Sequence, residues 1–282
     1  MISTSDKKLT ALYALKWNPF SPAVPPEALF QRKTVAGFLW RVENLVMDGG
    51  IAAVTGDPGL GKSVAMRLCE ERLKGLRDVT VARVDRPQSG LGDFYRELGE
   101  CFGVDFRFAN RYGGFKALRT RWKAHIEQTL LRPCLLIDEA QEMPDAVLSE
   151  LRLLVSEHFD SRRILAVVLA GDQRLAARLR EVELLPLQSR LRMHLTLGLS
   201  GEAELTEMLE HALESAGNRQ LMTKGVIEAV VSSSGGNPRT MMQTCDELLA
   251  HAMAADRPHI DEKLFFDICQ APQPKAGKAR RA

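Results

Sequence analysis

Apolar positions recur along this chain with two different periods. From Lys33 to Met47 they fall at Val35, Phe38, Leu39, Val42, Leu45 and Val46, which places them on one side of a helix, and Gly49-Gly50 ends it. Ile51–Thr55 follows as a short, unbroken apolar run rich in β-branched residues, as expected of a strand covered on both faces. The two patterns then alternate. Helices are predicted over Ser63–Leu76, Leu91–Phe102, Phe115–Leu131, Ala146–Phe159 and Leu175–Arg180, and strands over Val79–Val84, Cys134–Ile137, Ile164–Ala170 and His194–Leu197. Such alternation predicts an α/β fold with a parallel, doubly wound sheet.

The pattern changes after Gly198. Glu202–Ala216, Thr223–Ser232, Pro238–Ala254 and Asp261–Ile268 all read as helices with no strand signal between them, which predicts a small α-helical second domain. At the other end, Trp17, Pro19, Phe20, Pro22, Pro25, Pro26 and Phe30 make residues 1–32 an expected extended arm, strapped to the main domain by Trp17 and Phe20. The predicted organisation is an arm over 1–32, an α/β domain over 33–198, a helical domain over 199–270 and a disordered basic tail over 271–282.

Composition narrows the field. A chain of 282 residues can hold one large domain and one smaller one. Its net charge is only +2, so any contact with nucleic acid must come from local clustering. The five cysteines (Cys69, Cys101, Cys134, Cys245 and Cys269) include no CxxC pair, which argues against zinc and disulfides and for a reducing compartment. No run approaches the ~20 apolar residues of a membrane span, and the N-terminus lacks the apolar stretch of a signal peptide. A cytoplasmic protein with no membrane partner is expected.

The chemistry begins at Gly56-Asp57-Pro58-Gly59-Leu60-Gly61-Lys62-Ser63, which matches GxxxxGK[ST] in full. Glycines let the backbone wrap a phosphate with its N–H groups, and the helix that opens at this loop favours an anion at its start, with Val64 in its first turn. Lys62 is expected to bridge the β- and γ-phosphates of ATP, and Ser63 to ligate Mg²⁺. A chance glycine turn would not stand between a buried strand and an amphipathic helix. Cys134-Leu135-Leu136-Ile137-Asp138-Glu139 supplies the partner motif. The strand delivers Asp138 to the sheet's carboxyl edge as a Mg²⁺ residue, and Glu139 is placed to orient or deprotonate the attacking water. Taken alone, those two acids could simply cap a strand at the surface.

The paired acids, followed by another strand and a helical domain, resemble the AAA+ ATPases. The resemblance implies a polar sensor of the γ-phosphate at the end of Ile164–Ala170. Asp172 and Gln173 are both candidates, and the neutral Gln173 is the less costly neighbour beside two acids. It also implies an arginine that reaches a neighbouring subunit's ATP. Arg190 is the first candidate and Arg192 the second, since a planar guanidinium suits phosphate oxygens. The alternative is a solvated arginine at a helix end. Arg239 follows Asn237, a fitting N-cap, and Pro238. The helix dipole gives a cation no benefit there, and the resemblance assigns it a contact to the γ-phosphate in cis.

The order of motifs is similar to one AAA+ branch, the ExeA-like secretion ATPases and the TniB/TnsC transposition ATP-binding proteins. The matching residues are Tyr13-Ala14-Leu15-Lys16-Trp17-Asn18-Pro19-Phe20, the glycine loop, Leu135–Met143, Val168–Leu175, Leu187–Leu195 and Gly235–Met241, within residues 12–270. The secretion members carry a membrane span and a cell-wall-binding portion after the ATPase core. This chain has neither, so the first expectation is a transposition regulator, and the alternative is an ExeA-like ATPase that assembles a secretion or envelope complex. Its ATP-bound subunits would form a homo-oligomer, a ring or helical filament, on double-stranded DNA and recruit or activate a DDE-type transposase.

Residues 107–123 contain Arg107, Arg111, Lys116, Arg119, Arg121 and Lys123 and no acid, the expected footprint of phosphate contacts. Asp85-Arg86-Pro87-Gln88-Ser89 resembles a loop from which related transposition ATPases touch DNA. Arg86, Gln88, Arg111, Lys116, Arg119 and Lys123 are therefore the candidate DNA-binding residues. Against this stands a solvated basic helix with Phe115, Leu118 and Trp122 turned to the core. The tail residues Lys275, Lys278, Arg280 and Arg281 could add non-specific attraction or merely solubilise.

Overall fold

The computed structural model describes residues 4–104 and 111–269. Arg107 and the whole predicted tail, with Lys275, Lys278, Arg280 and Arg281, lie outside them. In chain order the first elements are α1 (Thr4–Tyr13), α2 (Lys33–Asp48), β1 (Gly50–Gly56), α3 (Lys62–Lys74), β2 (Val79–Val84), α4 (Leu91–Phe102), α5 (Arg111–Gln128) and β3 (Arg132–Ile137). Next come α6 (Asp145–Val155), β4 (Ser156–Glu157), β5 (Arg162–Arg163), β6 (Ala166–Gly171), α7 (Gln173–Arg178), α8 (Leu185–Gln188) and β7 (Leu191–Leu197). The last four are α9 (Glu202–Ala216), α10 (Lys224–Ser233), α11 (Pro238–Ala254) and α12 (Glu262–Cys269). The chain divides into two units, Gln31–Gly198 and Met1–Phe30 with Leu199–Ala282.

The first unit is built on a five-stranded sheet in the order β2-β3-β6-β1-β7, every neighbouring pair parallel. The inner strands β1, β3 and β6 are almost wholly apolar because both faces are covered, whereas the edge strands β2 and β7 carry the exposed Arg83, Arg192 and His194. Ile51, Ala53, Leu135, Ile137, Val167 and Leu169 pack on one side with α4, α5 and α6. Ala52, Val54, Cys134, Leu136, Val168 and Ala170 pack on the other side with α2 and α3. A period of two along each strand thus divides one continuous hydrophobic run between two cores.

One predicted helix is shorter than its apolar pattern suggests. The run Ala146–Phe159 is helical only to Val155, after which Ser156–Glu157 and Arg162–Arg163 pair as a small antiparallel ribbon. The turn between them holds His158, Phe159 and Asp160 at φ 49°, 56° and 68°. The cause lies in α5: Arg119 donates to the carbonyls of Leu153 (2.8 Å) and Ser156 (2.5 Å), which satisfies the end of α6 from outside.

The largest difference concerns the N-terminus. Residues 4–13 are helical, and Trp17 packs against the core of the second unit. Leu9, Tyr13, Leu15 and Phe20 enter that core, together with Leu205, Leu209, Leu213, Leu248 and Leu249 of α9 and α11. Tyr13 Oη donates to the Arg257 carbonyl at 2.9 Å, Lys16 N to Ala216 O at 2.9 Å, and Asn18 Nδ2 to Asp246 Oδ1 at 2.6 Å. The prolines begin only at Pro19, so their density never applied to α1. Leu9 and Tyr13, four apart, make a one-sided helix that needs a partner.

Tyr13→Ala removes a side chain only 2% exposed together with its hydrogen bond. The expected cost is about 3–5 kcal/mol. Chemical denaturation followed by circular dichroism checks it, and a loss under ~1 kcal/mol would return this segment to the status of a loose arm.

Candidate active site

β1 ends at Gly56 and α3 begins at Lys62, so five residues turn the chain from strand to helix. Gly59 and Gly61 hold φ 88° and 94°, a region that L side chains seldom occupy. A Cβ on Gly61 would meet nothing within 4 Å, so open space faces the loop at this point. Gly56 is glycine for another reason: a Cβ there would lie 2.6 Å from the Leu197 carbonyl of β7. The first N–H groups of α3 have no helical acceptor. Lys62 is 7% exposed and folds back over the loop, its ammonium donating to Gly56 O (2.9 Å) and Asp57 O (3.1 Å). Asp57, Pro58 and Ser63 are exposed, Leu60 is buried, and Val64 is half-buried. A buried cation, free helical N–H groups and a glycine cradle with open space fit a polyphosphate.

β3 delivers the acids to the same edge. β1 and β3 flank β6 in parallel register, with Thr55 opposite Gly171 and Ile137 opposite Leu169. Asp138 is half-buried and accepts the Glu139 N–H at 2.9 Å. Glu139 is exposed and left-handed (φ 52°, ψ 37°), so the chain turns sharply as it leaves the sheet.

Two residues that the sequence reading passed over organise this turn. Gln141, 6% exposed, donates from Nε2 to Glu139 Oε2 and accepts the Asp172 N–H on Oε1 at 3.1 Å. Arg178 of α7 donates to Gln141 O (2.5 Å) and Met143 O (2.7 Å) and pairs with Asp145. The only signal in the sequence was a glutamine two places beyond paired acids, a spacing without the meaning of a helical face.

Of the two sensor candidates, Asp172 is occupied. It caps α7, accepting the Arg174 N–H (2.8 Å) and Arg174 Nε (2.8 Å). Gln173 is the first residue of α7 and is exposed. Arg190 donates to Pro186 O (2.6 Å) and forms an ion pair with Asp160, the last left-handed residue of the β4–β5 turn. The hydrogen bonds from Ser156 and Arg190 hold the Asp160 carboxyl below its ordinary range. Arg192 pairs with Asp48 at 3.2 Å. Arg239 is exposed in the first turn of α11, where Asn237 Oδ1 accepts its N–H at 3.0 Å.

The six nominated DNA residues separate into different environments. Arg86, Gln88 and Lys116 are exposed, and the Arg86 loop is tied by Glu97, which accepts the N–H groups of Asp85 (2.5 Å) and Arg86 (3.4 Å). Arg111 opens α5, and its side chain lies outside the described residues. Arg119 and Lys123 have partners within the fold: both pair with Glu157, and Arg119 also stacks on Phe115 with 5.1 Å to the ring centroid. Burial pulls the Arg119 guanidinium below its usual range, and Lys123, Arg119 and His158 pull the Glu157 carboxyl down against its burial. A buried carboxylate needs such partners. Leu118 and Trp122 face the core, as the bland reading of this helix expected.

The sheet, the glycine loop and the paired acids are similar to those of AAA+ ATPase domains. A family model described as "AAA domain" matches residues 46–179. General secretion pathway protein A of Aeromonas hydrophila is 29% identical over 252 residues, covering 87% of this chain and 45% of that protein, so the chain spans less than half the relative's length. Three solved structures share the fold at low identity. Cdc6p of Pyrobaculum aerophilum matches with a TM-score of 0.69 and 16% identity over 86% of this chain and 67% of that one. Aeropyrum pernix ORC1 in complex with DNA gives 0.67 and 17% over 88% and 67%. The Thermotoga maritima RuvB Holliday junction branch migration motor gives 0.59 and 18% over 89% and 72%.

Thr55, one residue before the glycine loop, lies with Oγ1 2.7 Å from His194 Nε2 on β7. Burial, with the Arg180 charge second, holds His194 below the ordinary histidine value of 6.5. The unfolded chain therefore protonates first as pH falls. Stability from the neutral ring is full above about pH 6.5 and declines below it. His125, lowered by burial and Arg121, acts in the same direction. Melting temperature is expected to drop between about pH 7 and pH 5.5, and His194→Gln to flatten part of that slope. An identical slope in the variant would remove His194 as a source.

Proposed function

We propose that this chain binds Mg·ATP on the Gly56–Ser63 loop, hydrolyses it with Glu139, and uses the cycle to assemble and release a partner complex. The observation that carries the reading is the meeting at one sheet edge of a buried lysine on a glycine loop and two acids closing β3. The backbone from Gly59 to Val64 and the Lys62 ammonium take the β- and γ-phosphates. Ser63 and Asp138 hold Mg²⁺, which when bound neutralises charge on the phosphate oxygens. Glu139 orients the attacking water and accepts its proton. Gln173 serves as the neutral sensor, since Asp172 is already engaged as a helix cap. Arg239 acts in cis and Arg190 from a neighbouring subunit in a homo-oligomer. For Arg190 that means exchanging Asp160 for a phosphate, so assembly competes with an internal ion pair.

Two partners come into question. An envelope or secretion complex is favoured, because the curated relative is a general secretion pathway protein. Among the described residues no helix is long and apolar enough to cross a membrane. The second reading keeps double-stranded DNA and regulation of transposition through a DDE-type transposase. It is supported by the exposed Arg86, Gln88 and Lys116, and is weakened by the engagement of Arg119 and Lys123 with Glu157.

Nucleotide binding and phosphate release test the core of the proposal. Lys62→Ala should weaken ATP binding tenfold or more, an approximate figure for losing one buried charge-assisted contact. Glu139→Gln should keep the affinity and lose roughly a hundredfold in turnover. Normal hydrolysis by Glu139→Gln would sink its assignment. Titration with DNA then separates the partners. With about three phosphate contacts, affinity should fall about fortyfold between ~50 and ~200 mM salt. No binding and no stimulation of turnover at the lower salt eliminates the transposition reading.

A further inference from the structure

Gln141 is an amide whose orientation the fold leaves no freedom to reverse. The Asp172 backbone N–H can only donate, so the atom facing it at 3.1 Å must be the carbonyl oxygen, Oε1. Nε2 then faces Glu139 Oε2, which as a carboxylate can only accept. Both ends of a side chain 6% exposed are thus used, and each is matched in polarity. The neighbourhood is shaped for it. A Cβ on Gly171 would lie 2.7 Å from Gln141 Oε1 and 2.8 Å from Leu175 Cβ, so only glycine at the end of β6 admits the amide. From the other side, Arg178 Nη1 grips the Gln141 carbonyl at 2.5 Å.

This arrangement has a consequence for Glu139. Its side chain is exposed on a left-handed residue, and an exposed glutamate ordinarily samples several rotamers. One fixed donor on Oε2 removes much of that freedom and leaves Oε1 without a hydrogen bond from the described residues. The same amide hangs on the N–H of Asp172, the residue that caps α7 and precedes Gln173. A shift at the end of β6 is therefore transmitted through two hydrogen bonds to the carboxylate.

We propose that Gln141 is the positioning residue for Glu139, holding one carboxylate oxygen so that the other faces the attacking water, and tying that orientation to the β6–α7 turn. The inference rests on the role given to Glu139 above. Its chemistry is that of an orienting donor, and no proton is transferred. Rigid placement of a general base is worth more than its mere presence, because a misdirected carboxylate spends most of its time out of reach of the water.

Gln141→Glu and Gln141→Ala separate the two hydrogen bonds. The glutamate keeps an acceptor for the Asp172 N–H but loses the donor to Glu139, and the alanine loses both. Steady-state hydrolysis, titration with a fluorescent ATP analogue, and hydrogen-exchange mass spectrometry of the peptide spanning Asp172 are measured on the full chain. Both variants should lose about ten- to a hundredfold in kcat, with nucleotide Kd within about twofold of wild type. Exchange at Asp172 should quicken in Gln141→Ala and stay slow in Gln141→Glu. Wild-type kcat in Gln141→Glu, with the unmutated chain active, overturns the proposal. So does a loss of nucleotide affinity as large as the loss of kcat, since the amide would then be supporting the loop as a whole. A wild-type chain that binds ATP but never hydrolyses it refutes the role of Glu139 itself, a different failure from either.

Discussion

Everything chemical in the α/β unit depends on five strands running the same way. Parallel strands end together, so the loop after β1, the acids after β3 and the cap after β6 all emerge at one edge. β6 lies between β1 and β3, and its last residues therefore stand between the lysine loop and the glutamate. Two glycines keep that edge compact. Gly56 lets β1 approach the Leu197 carbonyl of β7, and Gly171 lets the Gln141 amide reach the end of β6. Glycine in this region thus answers to packing between neighbouring segments as well as to an approaching phosphate.

Charge in the same unit is distributed by partnership more than by number. The basic stretch of α5 contains no acid in sequence, yet Glu157, brought in by the β4–β5 ribbon, engages Arg119 and Lys123. Arg119 also finishes α6 by binding its terminal carbonyls. A guanidinium that satisfies a carboxylate, two carbonyls and an aromatic face is fully used inside the fold. Arg190 and Arg192 are likewise held, by Asp160 and Asp48. Lys116, Arg86 and Gln88 keep their exposure.

The helical unit draws its core from both ends of the chain. Leu9, Tyr13 and Leu15 are buried among side chains more than 180 residues further along, and the Asn18-Pro19-Phe20 phrase contributes Phe20 to the core and Asn18 to Asp246. A motif near the N-terminus that resembles a family signature is here a packing element of α9–α12. Hydrogen bonds from Tyr13 and Lys16 to main-chain carbonyls fix its register, and side chains such as Leu9 and Phe20 supply the buried area.

The alternation of helix and strand, the glycine loop and the acids closing a buried strand could be read from residue order, because each is local. Apolar periodicity reports which faces are covered, GxxxxGKS can turn only one way between strand and helix, and Ile137-Asp138 marks where a buried strand meets water. Three features could not be read, and all of them join distant residues. The end of α6 at Val155 depends on Arg119, and the docking of residues 9–20 depends on the faces of α9 and α11. The seat of Gln141 depends on Gly171 and the Asp172 N–H thirty-one positions on. Periodicity names the side of an element that must be covered, but the identity of the covering partner is settled only when strand register and helix packing bring it within hydrogen-bond reach.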